Sequence, residues 1–321
     1  MIESKIESAF NGKIVFFGTS NVALPVLESL AKNFQVVGVV TSPDAPVGRK
    51  QVLMESPVSV LAKEMQLPLL KPQNFKNNLD LEKQLQAFNA EIFVVVSYGK
   101  ILPLRVINLP KFKTVNVHFS LLPKYRGSSP IQSALLNGEN KTGISVFILD
   151  EWVDHGPVLS GMTVDIDKDD NALSLSQRMA FLSARLIVST LTDYTQGKIH
   201  PTEQDHSQAS FTEHIKKTHG KIDWQKTAQE IYNQFRAFYP WPGIWTTWQG
   251  KKIKILDCNL SPAPPLMRGG IERGVVLDGG IIVCGQHTFI QIKTLQMEGK
   301  KPVKILDFLN GNKEFIGSGL V

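Results

Sequence analysis

Asn116 and His118 stand two positions apart in VNVHFSLLPKYRG (115–127), alternating with Val115, Val117 and Phe119. A strand's period of two sends both polar side chains to one face, about 7 Å apart, within reach of one small group near the strand's end. An amide there donates hydrogen bonds, and an imidazole can hold or pass a proton. Further on, the apolar run GISVFIL (143–149) opens into Asp150-Glu-Trp-Val-Asp-His-Gly-Pro157. If the sheet sets that loop beside residues 116–118, one of its carboxylates orients the imidazole and favours its protonated form. Amide, imidazole and acid together suit acyl transfer to an amine, in which an oxyanion must be stabilised and a proton leaves the attacking nitrogen. Ser120 is followed by Leu-Leu-Pro rather than framed as G-x-S-x-G, so the acyl group is expected to pass directly, without a covalent serine intermediate.

The elements needed to position these residues are legible as alternating periods. KIVFFG (13–18), QVVGVVT (35–41), IFVVVSY (92–98), the strand of Asn116 and GISVFIL read as strands. Helical patterns fall at 22–33, 58–65, 79–88 and 131–138, and a longer one at 171–195. Strands separated by helices of this length predict an α/β domain, a Rossmann-like and mostly parallel sheet with helices on both faces. Open sheets of that kind place their ligands at the carboxyl ends of the strands, where Asn116 and His118 lie. Gly18-Thr-Ser-Asn21 offers one glycine where a dinucleotide fingerprint needs three, so nicotinamide binding is not expected. Residues 197–224 are polar and read as a linker. After a helix at 227–239, short strands between Pro-rich and Gly-rich turns predict a small all-β, OB-like barrel. The expected division is 1–205, ending in linker from about 197, and 206–321. The aromatic cluster Phe235, Phe238, Tyr239, Trp241, Trp245 and Trp248 reads as core rather than as a stacking surface for bases.

Residues 1–205 hold 20 Lys/Arg against 20 Asp/Glu, whereas residues 206–321 hold 15 against 9, so the net charge of +6 lies entirely in the second part. A basic domain suits a phosphate-bearing partner. Cys258 and Cys284 lie in apolar runs without a partner motif, and His200, His206, His214 and His219 lack ligand spacing, so neither a disulfide nor a metal site is expected. MIESKIESAF resembles no targeting signal, and no apolar run approaches the roughly 20 residues that span a bilayer, so a cytoplasmic protein without membrane association is expected.

Taken in order, Asn116-x-His118-x-Ser120-Leu-Leu-Pro123, Arg126-Gly127, Pro130-Ile-Gln132, Thr142-Gly143 and Asp154, with KIVFFGTS, TSPDAPVGR, VVVSYGKILP and RAFYPWPGIWTT, resemble the formyltransferases that use 10-formyltetrahydrofolate. The resemblance covers nearly the whole chain. It implies that Asn116 and His118 hydrogen-bond the formyl oxygen as it becomes an oxyanion, and that Asp154 assists proton movement. It also implies that Ser120, Leu121, Leu122 and Pro123 line the tetrahydrofolate site, and that Tyr98, within VVVSYG, belongs to the pterin pocket. The implied nucleophile is the α-amino group of methionine on initiator tRNA, with Arg49 and Lys50 meeting the acceptor stem and the basic domain helping to hold the tRNA. The expected state is a monomer. The loop 43–54 is thinner in cations than is usual in the family, with Ala45, Gln51 and Val52 at positions more often basic and Lys50 at one more often glycine. His155 adjoins Asp154 in a turn and is read as structural. Two rivals share the catalytic residues or the fold, a formyltransferase acting on an amino sugar nucleotide and a tRNA-binding protein that has lost transfer.

Overall fold

The computed structural model describes residues 12–48, 51–76, 78–263 and 272–321, so Arg49 and Lys50 lie outside the described residues. The chain divides into two compact units. The first comprises residues 1–130, 141–165 and 176–212, and the second 131–140, 166–175 and 213–321.

The first half of the chain runs β1 (Lys13–Gly18), α1 (Leu24–Asn33), β2 (Gln35–Val40), β3 (Ala45–Val47), β4 (Val52–Met54), α2 (Pro57–Glu64), β5 (Leu69–Leu70), α3 (Leu79–Ala87), β6 (Ile92–Val96), α4 (Leu104–Ile107) and β7 (Thr114–His118). It continues with α5 (Pro130–Leu136), β8 (Lys141–Ile148), β9 (Val158–Asp165) and α6 (Ala172–Thr195). Seven strands form one sheet in the order β5-β2-β1-β6-β7-β8-β9. The pairs from β5 to β7 are parallel, while β7–β8 and β8–β9 are antiparallel. This is the mostly parallel sheet that the alternation predicts. One face packs Val15, Phe17, Val40, Phe93 and Val95 against Leu81 and Leu85 of α3 and Val106 and Ile107 of α4. On the other face Ile14, Phe16, Ile92, Val94 and Val96 are fully buried, so both faces are covered. That explains why the central strands read as nearly continuous apolar runs.

Three elements differ from expectation. β9 was not foreseen; it ends the sheet with alternate residues exposed and a glycine at 161, so its apolar signal is diluted. The loop 43–54 is built as the antiparallel hairpin β3–β4, with Val52, Leu53 and Met54 all more than half exposed. Residues 201–212 are not a free linker: Thr202 bridges Val158, and Phe211 bridges Arg126.

In the second unit α7 (Ala228–Ala237) precedes β10 (Ile244–Trp248), β11 (Lys251–Ser261), β12 (Val276–Leu277), β13 (Ile281–Val283), β14 (Phe289–Met297), β15 (Val303–Lys304) and α8 (Ile305–Gly311). The antiparallel sheet runs β10-β11-β14-β13-β12, with β15 beside β14. Its two edges are joined by the segment 317–321: Thr247 and Val321 exchange backbone bonds of 2.8 and 3.0 Å, while Val276 bonds Ser318 at 3.0 Å and Gly317 at 2.8 Å. The sheet therefore closes into a barrel, as the strand spacing predicts. Trp248, Phe308 and Phe315 meet edge to face inside it, with ring centroids 5.0 to 6.0 Å apart. The aromatic cluster is only partly core, since Phe238 and Trp248 are buried whereas Tyr239 is 40% and Trp241 52% exposed.

α7 begins with a capping box, in which the Thr227 hydroxyl accepts from the Glu230 N–H and the Glu230 carboxylate accepts from the Thr227 N–H and hydroxyl. Those bonds from Thr227 hold the Glu230 carboxyl below its usual value. Thr227→Ala is expected to cost about 1 kcal/mol, read as a lower urea midpoint. A depressed carboxyl stabilises above its unfolded value and ceases to do so as the pH falls through its folded one, so the cost shrinks in acid.

Candidate active site

β7 places Asn116 and His118 on one face, opposite Phe147 and Ser145 of β8. β8 runs antiparallel to β7 and leaves the sheet beside Thr114 and Val115, and the following loop, residues 149–157, brings Asp154 to His118. The His118 Nδ1 lies 3.5 Å from the Asp154 Oδ2, with both side chains largely buried. The Nε2 donates to the Tyr125 carbonyl at 2.9 Å, and since a carbonyl only accepts, this nitrogen carries a proton. The Asp154 carboxylate is fixed on its other side by the Gly127 N–H, 2.7 Å from the same Oδ2. Among the described residues nothing hydrogen-bonds the side chain of Asn116, which leaves both its N–H donors for an incoming oxygen.

The loop after β7 is held by Ser145. Its hydroxyl donates to the Ser120 carbonyl at 2.8 Å and accepts from the Leu122 N–H at 3.0 Å. Ser120 is fully buried and turns its own hydroxyl to the Lys124 carbonyl, 2.6 Å away. Leu121 crosses Gly143, where a Cβ would meet its side chain at 2.4 Å and the Met162 carbonyl at 2.5 Å. Ser120, Leu121, Leu122 and Pro123 therefore stand as one ordered stretch next to His118.

Tyr98 is placed differently. Its ring lies in the core, edge-on to Phe17 and Phe75 at 5.6 and 6.1 Å, and its buried hydroxyl has no hydrogen-bond partner among the described residues. Burial pushes that hydroxyl's pKa up. What the Tyr98 backbone offers is its carbonyl, which accepts from Thr19 at 2.9 Å. The residues that follow it, Lys100, Ile101 and Pro103, line a cavity of about 570 Å³ with Gln73, Asn74, Phe75, Lys76 and Arg105. Lys100 uses two N–H groups on the carbonyls of Pro72 and Gln73, and burial lowers its pKa.

Sequence reading missed the support from residues 204–212. Gln204 bonds the carbonyls of Asp154 and Gly156, Ser210 holds the Tyr125 N–H, and Thr212 meets the Ser129 N–H. His206 accepts from Arg126 at 2.8 Å and stacks on His155 at 4.0 Å, while His155 pairs with Asp150 at 2.6 Å. No periodic signal marks these residues, because their partners lie on loops distant in the chain.

A hydrogen-bonding amide and an imidazole paired with a carboxylate together equip this strand end to stabilise charge on an oxygen and to relay a proton. Among the described residues no cluster of His, Cys, Asp or Glu could hold a metal ion.

Comparison with known proteins adds two family models. "Formyl transferase" matches residues 12–191, and "Formyl transferase, C-terminal domain" matches residues 214–313. A methionyl-tRNA formyltransferase of Caldicellulosiruptor saccharolyticus is 39% identical over 305 residues, covering 94% of this chain and 97% of its own length. One of Halalkalibacterium halodurans is 37% identical over 310 residues, covering 96% and 98%. Among solved structures, an N-formyltransferase of Helicobacter canadensis in complex with folinic acid and dTDP-3-aminofucose shares the fold, with a TM-score of 0.65 at 20% identity, over 88% of this chain and 98% of that one.

Proposed function

The chain belongs to the formyl transferase family, and from that premise we propose that it moves the formyl group of 10-formyltetrahydrofolate to the α-amino group of methionine carried by initiator tRNA. The observation that carries the chemistry is the uncommitted Asn116 amide beside the His118–Asp154 pair. As the neutral amine attacks, the formyl oxygen gains negative charge. Asn116 donates to it, and His118 donates after exchanging its Tyr125 partner for that oxygen. Asp154 balances the imidazole and assists passage of the amine proton to the departing N10, and collapse of the tetrahedral intermediate breaks the formyl carbon–N10 bond and releases tetrahydrofolate. Ser120 to Pro123 and the Tyr98 backbone border the folate. The cations around the cavity near Lys100 suit the carboxylate-bearing end of such a cosubstrate. Arg49 and Lys50 are kept as contacts of the tRNA acceptor end.

The excess of Lys and Arg in residues 206–321 supports the tRNA reading. Lys252 lies over the Trp245 ring at 3.7 Å, and burial, with the neighbouring charges of Lys254 and Lys217, lowers its pKa. Crowded like charges cost stability in the free protein and are relieved by an anionic partner. Lys254→Ala is expected to weaken tRNA binding and to reduce the log–log salt slope by about 1, leaving kcat at saturating tRNA unchanged. Filter binding between 50 and 200 mM salt, concentrations on the order used for such slopes, checks it. One chain carries both functions, so we take it to act as a monomer, in the cytoplasm where initiator tRNA is charged. Among the described residues no helix is long and apolar enough to cross a membrane.

The purified protein, 10-formyltetrahydrofolate and methionylated initiator tRNA should yield formyl-methionine after ester hydrolysis, with methionylated elongator tRNA giving far less. Absence of transfer to either tRNA from a folded, folate-binding protein overturns the reading, and transfer to an amino sugar nucleotide replaces it.

A further inference from the structure

Arg126 is 3% exposed and Gln204 8% exposed. The guanidinium sends its Nε and Nη2 to the Gln204 Oε1, at 3.2 and 2.7 Å. A guanidinium has no acceptor, so this pairing dictates which end of the amide is oxygen. The amide nitrogen is thereby turned the other way, where it donates to the carbonyl of Asp154 at 3.0 Å and to that of Gly156 at 2.7 Å. Between those carbonyls the chain makes an unusual turn, for Asp154 has a φ of +48°, in the left-handed region that L residues with a Cβ avoid. From that conformation its Oδ2 meets the Gly127 N–H at 2.7 Å and lies 3.5 Å from the His118 Nδ1. Gly127 directly follows Arg126, whose backbone N–H and carbonyl are themselves bonded to Ser210 and Thr212, at 2.8 and 2.7 Å. Arg126 and Gln204 thus hold both the carboxylate's hydrogen-bond donor and the backbone that aims it.

We propose that Gln204 is a positioning residue for the transfer reaction: oriented by Arg126, it holds the Asp154 turn in its left-handed conformation and so keeps the carboxylate directed at His118. The assignment rests on the catalytic reading of Asn116, His118 and Asp154 given above. Gln204 touches no substrate in this scheme, so its removal acts on turnover rather than on affinity. Nothing local marks it, since its partners lie 48, 50 and 78 positions away.

Gln204→Met preserves length and removes these hydrogen bonds; Gln204→Glu keeps an acceptor for Arg126 but sets an oxygen against the two carbonyls. Both variants are expected to lower kcat about tenfold, the order that follows from losing neutral hydrogen bonds holding a catalytic group, with KM for folate and tRNA unchanged within about twofold. If Gln204 acts through Asp154, the effects are not additive: in an Asp154→Ala background Gln204→Met should lower the residual rate by less than about twofold. An equal tenfold loss in both backgrounds overturns the proposal, as does a rise in KM at unchanged kcat. Melting temperatures establish that each variant is folded, and Gln204→Glu, which keeps its pairing with Arg126, carries the test if Gln204→Met does not fold. The ring nitrogen resonances of His118 report the same displacement without turnover. They should move in the Gln204 variants of the full chain, and unchanged resonances sink the proposal. A wild-type protein inactive on methionylated tRNA is a failure of the functional reading alone, because the His118 resonances still decide whether Gln204 acts through Asp154.

Discussion

His118→Ala is expected to slow formyl transfer about 100- to 1,000-fold while folate affinity stays within a few-fold of wild type. The magnitude is that of losing one donor to a developing oxyanion, which is larger than the loss of an ordinary hydrogen bond because the donor is already in place when charge appears. The selectivity for rate over affinity follows from where the ring stands. It lies at the end of β7, on the Asp154 side, with its Nε2 on the Tyr125 carbonyl, whereas the ordered stretch from Ser120 to Pro123 is held by Ser145 and does not need the imidazole. Single-turnover transfer at saturating cosubstrate, set beside a folate titration, separates the two quantities. Near-normal single-turnover transfer rejects the assignment, and a matching loss in affinity shows that the ring serves binding instead.

Gly156→Ala is expected to reduce kcat about 100-fold and to destabilise the first unit by about 1–3 kcal/mol. No unusual backbone angle demands glycine here; space does. A Cβ would stand 2.0 Å from the Ile148 carbonyl oxygen, 3.2 Å from its carbon and 3.5 Å from the Asp150 nitrogen, all backbone atoms that cannot rotate away. The turn between β8 and β9 must then shift, and Asp154, two residues earlier, shifts with it. A displacement near 1 Å at a catalytic group suffices for a loss of that size. Thermal unfolding and steady-state kinetics on the same preparation check both parts, and a variant with wild-type melting temperature and kcat shows that the turn absorbs the methyl group.

The strand that carries Asn116 and His118 was legible from its apolar alternation, whereas the polar pair on its other face reads equally well as two side chains satisfied by neighbouring backbone. Asp154 was legible only through family resemblance. Its approach to His118 depends on the course of the loop 149–157 back from the start of β7, which no local property of GISVFIL specifies. Tyr98 shows the opposite difficulty, since the pattern singles out the segment but does not reveal that the ring turns into the core and that the backbone carbonyl is taken by Thr19. Gln204, Ser210 and Thr212 were unreadable, as polar residues in a polar stretch acquire meaning only from the distant carbonyls and N–H groups that they meet. The fold class was fixed by apolar periodicity, which survives wherever strands are covered on both sides and fades at the half-exposed β9.

The closing segment of the barrel imposes an order of events during synthesis. Thr247 waits for a partner 74 positions later in the chain. The hairpins β10–β11 and β12–β13 can form as they leave the ribosome, but their outer edges stay unpaired until the segment 317–321 has emerged. Open edges are templates for pairing with other chains. A polypeptide in which the segment 317–321 has not yet emerged therefore presents two such edges at once, and it needs protection from its neighbours until that segment docks.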